Sequence, residues 1–311
     1  MPNSTIVTEF LLTRFSDVWE LRVLHAMLFL LTYLATLLGN LLLVTITTLD
    51  QSFHTPMYLF LRNLSVLDMC YISVIVPKAC AIFLLENRVI SKTGCAAQIF
   101  FVLMFASIEL LLLTIMALDR YVAICQPLHY PLVMNHKVCV QMSLACLVSG
   151  LAYSGLHTSL TFQLSFCQSN IVHQFFCDIP SLLQLSCSDI FTNEITVFVS
   201  ATIYSGGCFF FIILSYIHIF STVLKFPIRG ERGKVFSTCV PHILVVTVFL
   251  SSGAAVYMKP TSNSPTIQDM VSSVFYSVVP PFLNPIIYSF RNKQIKGAVR
   301  RIMGRMLYSR K

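Results

Sequence analysis

Hydrophobic residues run through this chain in seven long and almost uncharged blocks. The blocks predict helices over residues 23–49, 57–83, 95–123, 139–160, 195–223, 235–258 and 267–290. At about 1.5 Å per residue, each helix is long enough to cross a hydrocarbon core about 30 Å thick. The pattern therefore predicts an all-α membrane protein, built as a bundle of seven transmembrane helices.

A shorter amphipathic pattern follows the seventh block. Over residues 291–307, apolar side chains recur on one helical face while Arg and Lys occupy the rest of the surface. The apolar positions are Ile295, Val299, Ile302, Met303 and Met306. This pattern is typical of a short helix lying on the inner membrane surface; a disordered basic tail is the alternative. We expect an outer N-terminal segment over 1–22, a seven-helix domain over 23–290 and a basic tail over 291–311.

The composition fits a membrane protein better than a soluble one. Hydrophobic residues make up 56% of the 311 positions and charged residues only 11%, against about 25% charged residues in soluble domains. The net charge of +8 is concentrated in the tail, where 8 of the 21 Lys and Arg residues lie within residues 291–311. A basic segment directly after a membrane helix favours contact with anionic lipid over binding of nucleic acid.

Charges between the blocks are distributed unevenly. The long segment from 161 to 194 contains no Lys or Arg, whereas the opposite side holds Arg120, Lys137 and Lys225. Basic residues collect on the cytoplasmic side of membrane proteins. We therefore expect a multi-pass plasma membrane protein with an extracellular N-terminus and a cytoplasmic C-terminus. Asn3 begins an Asn-Ser-Thr sequon on the outer side and is the expected glycosylation site.

Four of the eleven cysteines fall on the predicted outer side, which is an oxidising compartment. These are Cys95, Cys167, Cys177 and Cys187. An even number there predicts two disulfides, and four cysteines allow three pairings. His173 lies close to Cys177, but two disulfides explain the cysteines without a metal ion, so no metal site is predicted.

Two acidic residues lie deep in the predicted membrane region. Asp68 is midway along the second helix and Glu109 midway along the third, with Asn40 and Asn284 as candidate partners on the first and seventh helices. Carboxylates at this depth are costly and need a cation, a shared proton or polar partners. One interpretation is a sodium or proton site whose occupancy changes between two states of the protein. The other is a static hydrogen-bonded cluster.

An Asp-Arg-Tyr sequence marks the inner end of the third helix. Asp119 and Arg120 can form a local ion pair at the membrane edge. An arginine released from that pair could reach a cytoplasmic partner, with Tyr121 beside it.

A proline interrupts the seventh helix near its inner end. Pro285 removes one backbone donor and frees one carbonyl, which weakens the helix locally. With Asn284 and Tyr288 facing inward, this segment is either a two-state element or a static kink.

Taken together, these stretches resemble the olfactory receptor family over the whole chain. The matching segments are residues 39–40, 54–60, 64–68, 116–130, 215–217, 234–239 with His242, and 281–292. Any one of them is a modest match alone. Their order and spacing together are specific, and the outer loops resemble those of the tetrapod-type class.

This resemblance implies a rhodopsin-like receptor, not an enzyme. It implies a small volatile odorant as ligand and a stimulatory, olfactory-type heterotrimeric G protein that raises cyclic AMP. No cofactor is implied beyond the sodium ion or proton considered above. A rhodopsin-like receptor for a non-odorant small molecule is the alternative. A transporter is disfavoured because the two halves of the chain show no inverted repeat.

The resemblance also implies roles for individual residues. A Cys95–Cys177 disulfide is implied, which leaves Cys167 and Cys187 as the second pair. Tyr216 joins the residues expected to act in coupling or activation. That set is Asp119, Arg120, Tyr121, Tyr216, Asn284, Pro285 and Tyr288.

The chain departs from the family pattern at four positions. Leu118 stands where Tyr is usual, Gln126 where His is common, and Pro241 where Ser is common. Leu250 replaces an aromatic residue that is common in the sixth helix and is associated with activation. The last difference puts the family's usual activation trigger in doubt for this chain.

Ligand sites in helix bundles lie between helices and are mostly apolar with a few polar groups. Shared faces of the third and sixth helices, Ser277 on the seventh, and the resemblance for the fifth give a candidate ligand set. It comprises Val102, Leu103, Ala106, Ser107, Ser200, Ala201, Tyr204, Leu250, Gly253, Ala254, Tyr257 and Ser277. This lining suits a small, mostly neutral volatile with one hydrogen-bonding group.

Overall fold

Seven long helices dominate the computed structural model, which describes residues 7–85, 87–167, 169–187, 191–225, 229–257, 267–291, 294–298 and 301. The long helices are α1 (Trp19–Leu49), α2 (Pro56–Leu84), α3 (Lys92–Cys125), α5 (His136–Phe162), α7 (Phe191–Val223), α8 (Arg229–Tyr257) and α9 (Ile267–Arg291). All seven are long and apolar enough to span a membrane. The predicted seven-helix architecture is confirmed.

Shorter elements lie in the connections. They are β1 (Glu9–Leu12), a 3-10 turn (Gln51–Phe53), β2 (Val89–Ser91), α4 (Tyr130–Val133), β3 (Ile171–Val172) and α6 (Ile179–Leu183). The long helices extend beyond the predicted bounds: α1 begins at Trp19 instead of 23, and α8 begins at Arg229 instead of 235. Hydrophobic blocks mark only the part of a helix inside the hydrocarbon core, so polar first turns are missed.

The end of the bundle that is expected to be extracellular, called the outer end below, carries a small sheet that the sequence did not predict. Strand β1 lies in the middle, antiparallel to β2 and parallel to β3. Phe10 and Leu12 on β1 are fully buried, and Thr13 extends the pairing by donating to the Val172 carbonyl at 2.7 Å. The strands are too short for their alternation to stand out from the loops, but together they fix the N-terminal segment to the outer loops.

Glycines allow close helix packing at two places. A Cβ on Gly150 would overlap Ile108, so this glycine lets α5 approach α3. A Cβ on Gly39 would lie 3.1 Å from the Pro285 side chain, which places α1 directly against the kink in α9. Small residues at contacts of this kind are the usual device for packing membrane helices.

The start of the basic tail packs back onto the inner end of the bundle. Ile295 and Ala298 are buried in the described helical segment 294–298. Tyr58 donates to the Gln294 side chain at 2.7 Å, and Arg301 pairs with Asp50 at 2.9 Å. Ile295 belongs to the predicted apolar face; Val299, Ile302, Met303 and Met306 lie outside the described residues.

Candidate ligand and coupling sites

Two carboxylates and one amide meet in the middle of the bundle. The Asn284 amide donates to both oxygens of Asp68 at 3.1 Å and to one oxygen of Glu109 at 3.0 Å. All three side chains are at most 3% exposed. Helices α2, α3 and α9 therefore converge on a single polar centre in an apolar interior.

The hydrogen bonds at this centre do not balance its charge. One amide group offers only two hydrogens, and among the described residues no Lys, Arg or His forms an ion pair with Asp68 or Glu109. Two ionised carboxylates this close repel each other strongly in a water-poor interior. The arrangement is chemically suited to holding a cation or a shared proton.

Asn40 is not part of this centre, which corrects the expectation from the sequence. Its amide donates to the Thr36 carbonyl at 3.1 Å and to the Pro281 carbonyl at 3.3 Å. Pro285 has no N–H, so the carbonyl four residues earlier in α9 lacks its normal helical donor. Asn40 supplies that donor from α1, and this requirement draws its side chain away from the carboxylates.

The Asp-Arg-Tyr segment is arranged differently from the expected ion pair. Asp119 is buried and accepts a hydrogen bond from the Tyr130 hydroxyl at 2.8 Å. Within the described parts of the chain, no ion pair joins it to Arg120. Burial, and then the Asp119 carboxylate, hold the pKa of Tyr130 above its usual value. Tyr130 therefore keeps its proton and remains the donor to Asp119.

Arg120 lies instead beneath a polar contact between α7 and α8. The Tyr216 hydroxyl is 2.8 Å from His242 Nδ1, and His242 Nε2 is 2.9 Å from the Leu113 carbonyl. A carbonyl only accepts, so Nε2 carries the proton and Nδ1 accepts from Tyr216. Arg120 is close enough to act electrostatically on both Tyr216 and His242.

His242 is a site residue that was absent from the predicted set. The sequence offered two signals, a histidine inside the apolar block of the sixth helix and the position of that histidine next to the family-like segment 234–239. Its function as a bridge became visible only once α3, α7 and α8 were packed together. Tyr121 lies apart from this bridge, near His218 and within reach of Gln126 at 3.3 Å.

Tyr288 is buried on α9 one turn beyond Pro285. Its hydroxyl has no hydrogen-bond partner among the described residues, and Arg120, Asp68 and Glu109 all lie within electrostatic range of it. A buried hydroxyl without a partner costs about 1–3 kcal/mol. The inner part of α9 therefore lies between the carboxylate centre and Arg120, and Tyr288 is within electrostatic range of both.

A second polar cluster lies between α3, α5 and α7 in the outer half of the bundle. Tyr204 donates to the Ser107 carbonyl at 3.3 Å, and Ser200 lies 3.0 Å from His157 Nε2. Tyr153 packs between the His157 and Tyr204 rings. His157 is 1% exposed, and its Nδ1 has no hydrogen-bond partner in the described part of the chain. The structure thus groups three predicted ligand residues around a histidine and a tyrosine that were not predicted.

The remaining predicted ligand residues are distributed more widely. Val102, Leu103 and Ala106 belong to the apolar core of the outer half, and Leu250 packs against the core of the inner half. Ser277 is buried and donates to Ser273 of its own helix at 2.6 Å. Ala201 on α7 is half-buried, and a Cβ on Gly253 would meet open space. The side chains of Ala254 and Tyr257 lie outside the described residues, as does Asn3.

Two disulfides fasten the outer loops. Cys95 at the start of α3 is bonded to Cys177 with their Cα atoms 5.5 Å apart, and Cys167 is bonded to Cys187. The Cys177 N–H donates to Gln98 at 2.8 Å, which strengthens the attachment of the loop to α3.

Next in sequence, Asp178 is 8% exposed and accepts from the Ser181 N–H at 3.3 Å. Burial raises the pKa of Asp178 to about 6.

Comparison with known proteins covers nearly the whole chain. A family model described as olfactory receptor matches residues 29–306. Human olfactory receptor 14C36 is 63% identical over 309 residues, spanning 99% of both chains. Human olfactory receptor 14A16 is 52% identical over 299 residues, with 96% of each chain covered. Gorilla olfactory receptor 1G1 is 44% identical over 301 residues, covering 97% of this chain and 96% of the other.

Proposed function

We propose that this chain, which belongs to the olfactory receptor family, binds a small volatile odorant within its bundle and activates a stimulatory, olfactory-type heterotrimeric G protein. Receptors of this family are multi-pass plasma membrane proteins and are not enzymes. The proposed outcome of odorant binding is a rise in cyclic AMP. The observation that carries the proposal is the position of Arg120 beneath the Tyr216–His242 bridge, at the end of the bundle that we propose to be cytoplasmic.

Arg120 is the proposed contact for the G protein. The hydrogen bond between Tyr216 and His242 ties α7 to α8, and the Leu113 carbonyl ties both to α3. Movement of α8 away from α3 would break this bridge and uncover Arg120. A guanidinium suits the role because it stays charged and offers several donors in a fixed plane. Asp119, Tyr121, Asn284, Pro285 and Tyr288 are proposed to set or transmit the same change.

The proposed ligand site combines the predicted set with the polar cluster of the outer half. Ser107, Ser200 and Tyr204 contribute polar groups, and His157 adds a buried imidazole beside them. Val102, Leu103 and Ala106 supply apolar surface. This combination favours a compact odorant with one hydrogen-bonding oxygen, because a partner for that oxygen is already in place and the rest of the lining is apolar.

The carboxylate centre is proposed to hold a sodium ion or a shared proton. Support comes from the contacts of Asp68, Glu109 and Asn284, where two carboxylates share a single amide donor. A static hydrogen-bonded cluster remains the competing account. A sodium site makes receptor activity depend on sodium. A shared proton makes activity depend on the titratable carboxyls of Asp68 and Glu109, which amides cannot replace, and a static cluster makes it depend on neither.

The proposed topology places residues 1–22 outside the cell and the basic tail over 291–311 in the cytoplasm, around the seven-helix domain over 23–290. The uneven distribution of Lys and Arg supports it, as does the position of both disulfides at one end of the bundle. Glycosylation at Asn3 fits the same orientation. Anionic lipid of the inner leaflet is the proposed partner of the tail, and nucleic acid is not proposed as a partner.

An odorant panel tests the proposal directly. Cells expressing the tagged receptor are screened for cyclic AMP, with each signal divided by the amount of receptor at the surface. The proposal expects at least one small volatile to raise cyclic AMP in a receptor-dependent way. A response confined to peptides or involatile lipids would support the non-odorant receptor instead. Ion flux in the absence of any G protein would indicate a channel.

A further inference from the structure

A cavity near the inner end of the bundle lies apart from every site described above. Its volume is about 370 Å³, within the range of about 300–1,000 Å³ that is common for ligand sites. It lies between the 3-10 turn that follows α1, the first turns of α2 and the start of α5. Part of its wall comes from residues 54–60, one of the family-like segments. None of the functions proposed above assigns a role to this segment.

The polar side of this cavity is basic. Arg62, His54 and His136 line it, and no Asp or Glu does. His54 already donates from Nε2 to the Thr48 carbonyl at 3.3 Å. Arg62 is half-buried on the second turn of α2. Within the described residues, no hydrogen bond or ion pair engages its guanidinium. Thr55 also lines the cavity, and its hydroxyl makes no capping bond to α2.

The nearby acidic residues are already occupied elsewhere. Asp50 is bonded to Ser52 and Arg301, and hydrogen bonds from Ser52 and Arg301 hold the pKa of Asp50 below its usual value. Asp119 accepts from Tyr130. Neither carboxylate lines the cavity, so within the described residues no carboxylate pairs with Arg62.

Much of the remaining wall is apolar. Phe53, Leu59 and Met134 face the cavity beside the basic groups. A site with a cationic side and an apolar side suits a ligand that combines a phosphate with a short hydrocarbon stem. Arginine is especially suited to phosphate because two of its N–H groups can bind two phosphate oxygens at once.

We propose that this cavity binds the phosphate group of an anionic lipid from the inner leaflet, with Arg62 as the charged partner and His136 as a hydrogen-bonding partner. The inner leaflet is rich in anionic headgroups and lies at this depth in the proposed orientation. The inference rests on that orientation but not on odorant binding or coupling. A bound lipid would join α2, α5 and the turn after α1.

Native mass spectrometry of the full-length receptor tests this proposal. The purified receptor is incubated with a short-chain phosphatidylinositol bisphosphate, and in parallel with phosphatidylcholine of the same chain length. We expect retained phosphoinositide and little retained phosphatidylcholine. Arg62→Gln should weaken phosphoinositide retention at least about fivefold, because one basic residue is worth about 1 kcal/mol near anionic lipid.

Lys137→Gln is the matched control. Lys137 is exposed and adjacent to His136, but it does not line the cavity, so its removal changes the net charge equally and should leave retention near the wild-type level. Equal loss in both variants would show general surface attraction and overturn the site. Should Arg62→Gln fail to fold, His136→Asn provides a second test at an exposed position, where unchanged retention would count against the proposal.

A soluble inositol bisphosphate distinguishes the two possible sources of phosphate. If the soluble compound displaces the bound lipid as effectively as an equal concentration of a second short-chain phosphoinositide does, the commitment to a membrane lipid is wrong. The proposal expects weaker competition, because the soluble compound has no stem to cover the apolar wall. None of these measurements needs an odorant or a G protein, so their failure is separable from failure of the proposed signalling.

Discussion

At the scale of single residues, the carboxylate centre makes the clearest test. Asp68→Asn removes one negative charge and retains a side chain that can bond to Asn284. If sodium binds there and favours one receptor state, agonist potency in the wild type should change when choline replaces sodium, and the variant should lose that dependence. The measurement is a cyclic AMP dose–response curve in each salt.

Glu109→Gln serves as the second variant at this centre, because it removes the other charge with a similar shape. Both variants should reach the surface at near wild-type levels. A wild-type receptor indifferent to sodium, together with two variants that signal normally, would leave the static cluster as the better account.

Asp178 gives a pH-dependent prediction outside the membrane. Its pKa is raised to about 6 from an ordinary 3.8, because burial disfavours the charged form. The protonated carboxyl is thus preferred in the folded loop, and its stabilisation is complete below about pH 4 and lost as the pH rises through about 6. Asp178→Asn should raise thermal stability at neutral pH, by at most about 3 kcal/mol.

The comparison is made by thermal unfolding of purified receptor at several pH values. Asparagine caps a helix as well as aspartate, so the bond to the Ser181 N–H is retained. Glu9→Gln changes an exposed acid on β1 and should show no such gain. If the thermal stability of wild type and of Asp178→Asn changes with pH in the same way, ionisation of Asp178 does not destabilise the fold and the prediction is wrong.

Residue identities in these sites were predictable from the sequence to different degrees. Asp68, Glu109 and Asn284 stood out because polar groups are rare at membrane depth. The predicted partners of Asn40 were wrong. Only the packing of Gly39 against Pro285 shows that the Asn40 amide meets the Pro281 carbonyl instead of a carboxylate. His157 was not predicted because its role depends on contacts with Ser200 and Tyr153. Ser200 is brought to it by α7, and Tyr153 by the preceding turn of α5.

At the scale of elements, the disulfide between α3 and the long outer loop should be decisive for folding. Cys95→Ser or Cys177→Ser removes the link and leaves a polar group in a fully buried position. Losing a native disulfide costs about 2–5 kcal/mol in small secreted domains. We expect surface expression of either variant to fall close to background in flow cytometry.

Cys146→Ser is the control for this prediction. Cys146 is a free thiol inside α5, so its replacement tests loss of a cysteine without loss of a bridge and should reduce expression only mildly. Mass mapping that found Cys95 as a free thiol in mature receptor would contradict the proposed link.

The Tyr216–His242 bridge should hold α8 in the resting position. His242→Ala removes the acceptor for the Tyr216 hydroxyl and leaves that buried group without a partner, at a cost of about 1–3 kcal/mol. If the bridge exists only in the resting state, basal cyclic AMP per surface receptor should rise by about fivefold or more.

Thr247→Val offers a matched change on the exposed side of α8, where the hydroxyl bonds only to its own helix. It should leave basal activity unchanged. Unaltered basal signalling in a well-expressed His242→Ala receptor would show that the bridge persists in both states.

Element positions were predicted well where hydrophobicity determines them. All seven long helices were found from their apolar blocks, because length and low charge are dictated by the bilayer. The sheet of β1, β2 and β3 was missed because its strands are brief and lie far apart in sequence. The short helix α6 was also missed, since five residues give too little periodicity to recognise.

At the scale of the whole molecule, the polar groups form a discontinuous column through an apolar bundle. The polar cluster around His157 lies in the outer half, the carboxylate centre in the middle, and the Tyr216–His242 bridge above Arg120 at the inner end. Helices α3 and α9 both take part in more than one of these levels. A shift of either helix can therefore affect more than one polar site, which is the proposed basis of signalling.

The most direct test of this account is odorant-evoked cyclic AMP in an Arg120→Ala receptor, measured per surface receptor with an agonist found in the odorant panel. Lys137→Ala, another basic residue at the same end, is the control and should respond normally. We predict that Arg120→Ala reaches the surface and binds the odorant but gives no evoked cyclic AMP. A full response from a well-expressed Arg120→Ala receptor would contradict the account and leave Arg120 with a structural role only.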